Sequence, residues 1–370
     1  MQTYLNLLQK KFLPIYKSLS GNIFVKPFLQ LISFFYFVIY KTRIFLYKIK
    51  IFRSYALAVP VISIGNLSLG GTGKTPVVIE LAKYLIQKGY KVGIVSRGYK
   101  RKLINDSQDS IILVSDGEDI LTDYTRSGDE PYLIAKKVPK AVVAVCKDRI
   151  KAAHNVIKLG ANIIIMDDGY QYLRLKRSEN ILLIDCNHLL SSSKLFPIGE
   201  LRELPDSITR ATGIILSSAY DSEITSKNHE IITHYKKDLP TLSMRYNLKQ
   251  LNGINIKKSM RPSDISGIKV LAFSGIANPK SFENLLRKSS LNVVKFIDFP
   301  DHYNYTHEDI NELIIQAKEN NTENLITTEK DAIKIEEFCE SAPITLWSCE
   351  IELAWDELNP FEKFKNLVKI

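Results

Sequence analysis

Lys74 and Thr75 close the stretch Gly65-Asn66-Leu67-Ser68-Leu69-Gly70-Gly71-Thr72-Gly73-Lys74-Thr75-Pro76, a glycine-rich turn between the apolar run Val59–Ile64 and a helical pattern starting near Val77. A lysine and a hydroxyl residue directly after such a turn suit a nucleoside triphosphate. The ammonium reaches the terminal phosphates, the hydroxyl ligates magnesium, and the glycines let backbone N–H groups face an anion closely. The start of the next helix adds a positive dipole end. Gly70, Gly71, Thr72, Gly73, Lys74 and Thr75 are therefore the candidate phosphate-binding residues. The strict G-x-x-x-x-G-K-[ST] pattern would place its first glycine at position 68, which is Ser68; Gly65, Gly70 and Gly71 can shape the turn instead. The plain alternative is an ordinary strand-to-helix turn.

Four further clusters bear on chemistry. Ile163-Ile164-Ile165-Met166-Asp167-Asp168-Gly169 is an apolar strand ending in two acids, which alone reads as a turn but beside a phosphate loop can hold magnesium directly or through water. Arg97, in Ser96-Arg97-Gly98-Tyr99, follows a strand and suits either a phosphate contact or a solvated turn. Asp129, in Ser127-Gly128-Asp129-Glu130-Pro131, precedes a helix and reads first as its N-cap, with a general base for a hydroxyl as the second reading. His302, in Phe299-Pro300-Asp301-His302-Tyr303, has an acid beside it at a strand end, a setting for acid–base work. Thr327-Thr328-Glu329-Lys330-Asp331 invites comparison with the guanine-reading [NT]-K-x-D pattern, but Lys330 adjoins Asp331 directly, so guanine specificity is not inferred.

The elements that must position these residues alternate. Strand-like runs at Val59–Ile64, Lys91–Ser96, Ile111–Val114, Ala141–Val145, Asn162–Met166, Asn180–Ile184 and Gly213–Ser217 are interleaved with helical patterns such as Pro76–Lys88, Pro131–Lys137 and Arg149–Leu159. The pattern predicts an α/β fold, a mainly parallel sheet with helices on both faces and ligands beyond the carboxyl ends of the strands. Past Thr241, alternating stretches Thr241–Leu248 and Gly253–Lys258 around Asn252-Gly253 predict a hairpin-like linker. A second, smaller α/β domain follows. The expected organisation is 1–55 for an N-terminal segment, 56–240 for the nucleotide-binding domain, 241–266 for the two-stranded linker and 267–370 for the C-terminal domain.

The net charge of +10 is concentrated at the N-terminus. Lys10, Lys11, Lys17, Lys26, Lys41, Arg43, Lys48, Lys50, Arg53 and Lys74 precede the first acid, Glu80, and the remainder balances. This basic segment is rich in Phe, Ile, Leu and Tyr, which points to an anionic membrane surface rather than to nucleic acid. Phe28–Tyr40 is strongly apolar but, at 13 residues, shorter than the ~20 a bilayer span needs. An interfacial anchor flanked by Lys26, Lys41 and Arg43 fits best, with a buried helix or a short tilted span as alternatives. Cys146, Cys186, Cys339 and Cys349 show no C-x-x-C spacing and read as reduced core residues.

Taken in order, GNLSLGGTGKTP, SRGYKRK, SGDEPYLIAKK, Lys147-Asp148-Arg149, the strand ending in Asp167-Asp168-Gly169 with Gln171, FPIGELRE, FSGIANP, FPDHYNY and TTEKDAIK resemble the tetraacyldisaccharide 4'-kinase family of lipid A biosynthesis, from about Val59 to Lys334. In that family the loop lacks the first strict glycine, as Ser68 does here. The departures are Asp168-Gly169-Tyr170-Gln171-Tyr172 for the usual Asp-Gly-Leu-Gln-His, and Gly199-Glu200-Leu201-Arg202-Glu203 for the usual Gly-Pro-Leu-Arg-Glu, which put roles for positions 172 and 200 in doubt.

The resemblance implies a P-loop kinase-like fold that transfers the γ-phosphate of ATP to the 4'-hydroxyl of a tetraacyl glucosamine disaccharide 1-phosphate. ATP and Mg2+ would be the cofactors, and the lipid disaccharide and an anionic membrane surface the partners. The chain would sit as a monomer on the cytoplasmic face of the inner membrane, peripheral or monotopic. By motif, Lys74 and Thr75 would bind phosphate and magnesium, and Asp167 and Asp168 would serve the metal. Asp129 with His302 would form the dyad that deprotonates the sugar hydroxyl, a site completed when the two domains close. This reverses the preference for Asp129 as a cap. Arg97, Tyr99, Glu130, Arg149, Gln171, Arg202 and Glu203 are further candidates from the same motifs. The rival reading is a membrane-docked P-loop nucleotide switch with no phosphorylated acceptor.

Overall fold

The computed structural model describes residues 26–99, 101, 110–339 and 342–363, so residues 1–25 of the N-terminal segment lie outside the description. Two compact units divide the chain: one runs to Arg245 and takes in the stretch from Trp355, and the other is Tyr246–Ala354. The smaller unit thus ends at Ala354, where the sequence reading ran the C-terminal domain on to residue 370.

The first unit opens with helix α1, Lys26–Lys48. Its 23 residues, roughly 34 Å at 1.5 Å per residue, extend past both ends of the 13-residue apolar run Phe28–Tyr40. By length and composition alone it could cross a bilayer. The helix outlasts the apolar stretch because its later polar residues find partners on the protein. Lys41 pairs with Asp206, and the Arg43 guanidinium donates to the Gln171 carbonyl at 2.9 Å.

Beyond it come β1 (Val61–Asn66), α2 (Lys74–Gln87), β2 (Val92–Ser96), β3 (Ile112–Asp116), α3 (Tyr124–Ser127), α4 (Asp129–Lys137), β4 (Val142–Val145), α5 (Arg149–Lys158), β5 (Ile163–Met166), β6 (Glu179–Asp185), β7 (Gly213–Ser217), α6 (Ser222–Tyr235) and β8 (Thr241–Gly253). The sheet order is β8-β7-β6-β1-β5-β2-β4-β3, parallel throughout except for β3, which runs antiparallel to β4. β1, β2, β4, β5 and β7 are buried at every position, which is why they read as unbroken apolar runs. β1 lies between β6 and β5, with Ser63 opposite Met166. That register sets the end of β1, where the glycine loop begins, beside the Asp167-Asp168 end of β5. Trp355 and Phe361 pack on α2: the Trp355 indole N–H donates to Glu80 at 2.5 Å, and buried Phe361 lies against the rings of Trp355 and Tyr84.

The second unit contains the end of β8, then β9 (Ser259–Met260), β10 (Lys269–Ser274), α7 (Pro279–Lys288), β11 (Asn292–Asp298), α8 (His307–Glu319), β12 (Asn324–Thr328), α9 (Glu329–Cys339) and β13 (Thr345–Trp355). β11, β10, β12 and β13 are adjacent and parallel. The expected turn at Asn252-Gly253 is displaced: β8 continues through Gly253, the chain turns over 254–258, and Leu251 and Asn252 pair antiparallel with β9. The reason is local. The Asn252 amide is engaged within the ladder by Glu350 and Ser259, and the Gly253 N–H closes the turn on the Lys258 carbonyl at 2.8 Å.

Candidate active site

The phosphate loop is shaped by left-handed glycines and held from one side. Gly70 (φ +96°) and Gly73 (φ +84°) adopt backbone that an L side chain would strain. Gly73 stands at the N-terminus of α2 with no side chain capping the helix, so its first-turn N–H groups are left to an anion. The segment around Leu201 braces the loop like a short strand. Ser68 bridges Leu201, the Leu69 N–H donates to the Glu200 carbonyl at 2.6 Å, and the Arg202 N–H donates to the Leu67 carbonyl at 2.6 Å. Glu200, where the family usually has proline, faces solvent and serves the loop through its carbonyl.

Lys74, the first residue of α2, places its ammonium 3.2 Å from the Asn66 side-chain oxygen and 3.4 Å from Asp168 Oδ1. Thr75 follows in the same turn, half-buried. Asn66 is fully buried, and its carbonyl accepts the Gln171 amide at 2.9 Å. The sequence reading missed Asn66, although its position as the last residue of a buried strand before a glycine loop was a usable signal.

The two acids after β5 differ sharply. Asp168 sits in left-handed backbone (φ +47°), and Arg202 donates to both its carboxylate oxygens at 3.1 and 2.9 Å. Burial would raise its pKa, but Lys74, Arg202 and Arg149 outweigh that and hold it well below the usual carboxylate range. Asp167 is buried; one oxygen accepts from the Ser96 hydroxyl at 3.2 Å, and Oδ1 has no hydrogen-bond partner. Burial, with the charges of Glu130 and Asp168, pushes it up to about 7. A carboxylate oxygen kept from water without a partner, within the field of the phosphate-loop Lys74, fits magnesium, which favours hard oxygen donors and keeps places for substrate phosphates.

Arg149, at the start of α5, is buried; its guanidinium donates to the Asp168 carbonyl at 3.1 Å and lies 5.1 Å from the Tyr172 ring centre. Burial lowers its pKa from the ordinary arginine value. Tyr172, where the family usually has histidine, donates its hydroxyl to Asp148 at 2.9 Å. Glu203 pairs with Arg210 at 2.5 Å, and Arg210 stacks on the buried Tyr170 ring. Glu203 is thus tied into the packing around Tyr170.

Gly98 (φ +68°) and Gly128 (φ +92°) press together: a Cβ on Gly98 would lie 3.0 Å from the Ser127 carbonyl oxygen, and one on Gly128 3.1 Å from that of Tyr99. Only glycines allow this approach, which sets Asp129 as the first residue of α4, two residues before the expected start at Pro131. Gly128 occupies the cap position; Asp129 is buried and accepts the Glu130 N–H at 3.0 Å. Arg97 and Tyr99 are exposed after β2. Lys74, Arg149 and Arg202 are therefore gathered on Asp168 by direct contacts within one unit, with Asp167 adjoining it in the chain and Gln171 joined to Lys74 through Asn66.

His302 belongs to the second unit and is held in left-handed backbone (φ +58°). Its N–H donates to the Gly275 carbonyl at 2.9 Å, and the Gly275 N–H donates to Asp331 at 3.0 Å. Lys334, ion-paired with Asp331 at 3.6 Å, donates to the Tyr303 carbonyl at 3.2 Å. The Lys330 ammonium lies 3.3 Å from His302 Nε2, and Asp301 is 3.8 Å from the same atom. An ammonium only donates, so Nε2 accepts and the ring proton is assigned to Nδ1. The Thr327–Asp331 motif is thus a platform under His302.

Comparison with known proteins identifies the family. Residues 25–369 match the profile of the family described as LpxK, tetraacyldisaccharide-1-P 4'-kinase. The tetraacyldisaccharide 4'-kinase of Desulfotalea psychrophila is 35% identical over 316 residues, 85% of this chain and 89% of that one. That of Syntrophus aciditrophicus is 34% identical over 349 residues, 92% and 91% of the two chains. The crystal structure of LpxK from Aquifex aeolicus in complex with ATP superposes with a TM-score of 0.70 at 30% identity, covering 93% of this chain and 98% of that one. With its loop, acids and histidine motif all inside the matched span, the chain belongs to the tetraacyldisaccharide 4'-kinase family.

Proposed function

We propose that this chain transfers the γ-phosphoryl group of ATP to the 4'-hydroxyl of a tetraacyl glucosamine disaccharide 1-phosphate, releasing ADP and the bisphosphorylated lipid. One observation carries the reading of the motor: Lys74 follows left-handed Gly73 at an uncapped helix start, with the orphaned Asp167 oxygen nearby on the neighbouring strand's end. Phosphoryl transfer needs chiefly positioning and neutralisation of charge.

Loop N–H groups and the Lys74 ammonium hold the triphosphate. ATP recruits Lys74 from Asn66 and Asp168, and Arg202 keeps Asp168 neutralised when it does. Thr75 and Asp167 would hold magnesium, with Asp168 behind them; the ion supplies charge neutralisation and orientation of the phosphates. Asp129 accepts the proton of the 4'-hydroxyl as that oxygen bonds to phosphorus and the bond to the ADP oxygen breaks. His302, with its ring proton on Nδ1, is the second group assigned to that proton transfer. Arg149 supports the backbone of Asp168.

The acyl chains of the substrate keep it in a bilayer, since each buried CH2 contributes about 0.8 kcal/mol. The enzyme must therefore meet its substrate there. Phe28, Phe34, Phe35, Ile39 and Phe45 of α1 are all more than half exposed, whereas Tyr36, Phe37, Tyr40 and Ile44 pack on the protein. A helix seated lengthwise on its own domain fits a monotopic anchor at the inner membrane's cytoplasmic face, where ATP is available. The test is the product mass from purified chain, ATP, magnesium and the disaccharide lipid. A gain of one phosphoryl group, lost in Lys74→Ala, is expected; ATP turnover with no phosphorylated lipid would sink the reading in favour of a nucleotide switch.

A further inference from the structure

We infer that the docked face of α1 positions the phosphate loop, so that Tyr36 and Lys41 are positioning residues for nucleotide binding as well as parts of a membrane anchor. The inference rests on the phosphate-loop reading above and extends it to a segment remote in sequence.

Six of the buried and half-buried residues of α1 recur at helical spacing along its middle: Ser33, Tyr36, Phe37, Tyr40, Lys41 and Ile44. Their polar atoms all meet one segment of the protein. The Ser33 hydroxyl donates to the Leu195 carbonyl at 3.4 Å, the Tyr36 hydroxyl donates to the Arg202 carbonyl at 2.8 Å, the Leu204 N–H donates to the Tyr40 oxygen at 3.4 Å, and Lys41 pairs with Asp206. The opposite edge of that segment is the brace of the phosphate loop, through Ser68–Leu201, Leu69–Glu200 and Leu67–Arg202. Residues 195–206 are therefore a single layer between the helix and the loop. Arg202 lies on both sides of it at once, its carbonyl held by Tyr36 and its guanidinium clamping Asp168, which in turn faces Lys74.

A second line runs from Arg43 to the Gln171 carbonyl and from the Gln171 amide to the Asn66 carbonyl, ending at the residue that also contacts Lys74. Two hydrogen-bonded routes thus end on the same ammonium. The opposite face of α1, including Ile39, takes no part in either. A helix serving only as an anchor needs an apolar face and cations; it has no need of a tyrosine hydroxyl aimed at the carbonyl of an active-site arginine.

The two faces make separable predictions. A neutral hydrogen bond contributes about 0.5–1.5 kcal/mol, so its loss moves an equilibrium about 2- to 10-fold. In the full chain in detergent micelles, Tyr36→Phe is expected to weaken ATP binding, or to lower kcat at saturating lipid, by about that factor, with the KM for the lipid unchanged. Lys41→Gln, at the far end of the same seat, gives the same split. Ile39→Asn, on the exposed face, raises the KM for the lipid and leaves the dissociation constant for ATP as in the parent. Tyr36→Phe and Lys41→Gln that move only the lipid KM, or neither parameter, overturn the inference. Lys74→Ala binding ATP normally would instead overturn the phosphate-loop reading, so the two failures are told apart.

Discussion

The surroundings of Lys74 and those of His302 are built on opposite principles. Around Lys74 the structure leaves polar capacity open: the first turn of α2 has no side-chain cap, Asp167 keeps an oxygen without a partner, and Lys74 rests on groups that a phosphate can replace. Around His302 the structure instead over-determines the backbone, although the Ser274 hydroxyl and Asp331 Oδ1 are also buried there without a hydrogen-bond partner. A left-handed histidine is held at its N–H by Gly275, Gly275 by Asp331, and Asp331 by Lys334 and Thr328. Open polar groups cost stability and are justified where a ligand completes them. A strained backbone survives only where its neighbours over-determine it. A ligand site and a side-chain platform thus make different demands on the same kind of α/β scaffold.

Substitutions can break this contrast. The largest loss of activity is expected from Lys74→Ala, about 10^2- to 10^3-fold, by analogy with other single charge-stabilising groups. Its thermal midpoint should stay near the parent, measured beside ATP binding by calorimetry. Should the protein unfold instead, Lys74 belongs to the over-determined class of residue. Asp331→Ala is expected to do the reverse. Removing one partner of a buried ion pair costs about 3–5 kcal/mol, read by urea unfolding of the second unit, while ATP binding by the first persists.

A third test uses pH. Asp167 is raised to about 7 in the fold, so the folded state keeps a proton that the unfolded chain releases near pH 4. In magnesium-free protein its contribution is therefore most favourable below pH 4 and is lost as pH rises through about 7. Asp167→Asn should be more thermostable than the parent at pH 8, by several degrees, and indistinguishable near pH 4. Equal midpoints at both values would show that the site is not held open at the expense of stability. The smallest effect is expected at Glu200: its exposed side chain braces nothing, so Glu200→Ala should change kcat less than about 2-fold and stability by under about 0.5 kcal/mol.

Much of the first unit could be read from residues alone, because a strand buried on both faces declares itself as an apolar run. Gly213–Ser217 coincides with β7, and the carboxyl ends of β1 and β5 fall where the glycine loop and paired acids predicted. What escaped depends on partners remote in sequence. The true length of α1 follows from Asp206 and Gln171. The displaced turn after β8 follows from Glu350, about a hundred residues on. Lys330 and Asp331 resembled a faulty guanine motif because their task, holding His302 and Gly275, is visible only once β10, β12 and α9 are side by side. The loop's dependence on residues 195–206 was equally hidden, since Leu67, Leu69, Glu200 and Arg202 contribute it through backbone atoms.

The packing of Trp355 on α2 has an optical consequence. The chain contains two tryptophans, Trp347 buried in the second unit and Trp355 bonded to Glu80 of the first. Each unit therefore carries its own intrinsic fluorophore. In Trp347→Phe the remaining emission reports on the helix that follows the phosphate loop, so ATP titration can be followed without a label. In Trp355→Phe the signal belongs to the sheet that supports His302, and the two proteins together give separate melting curves for the two halves of one enzyme.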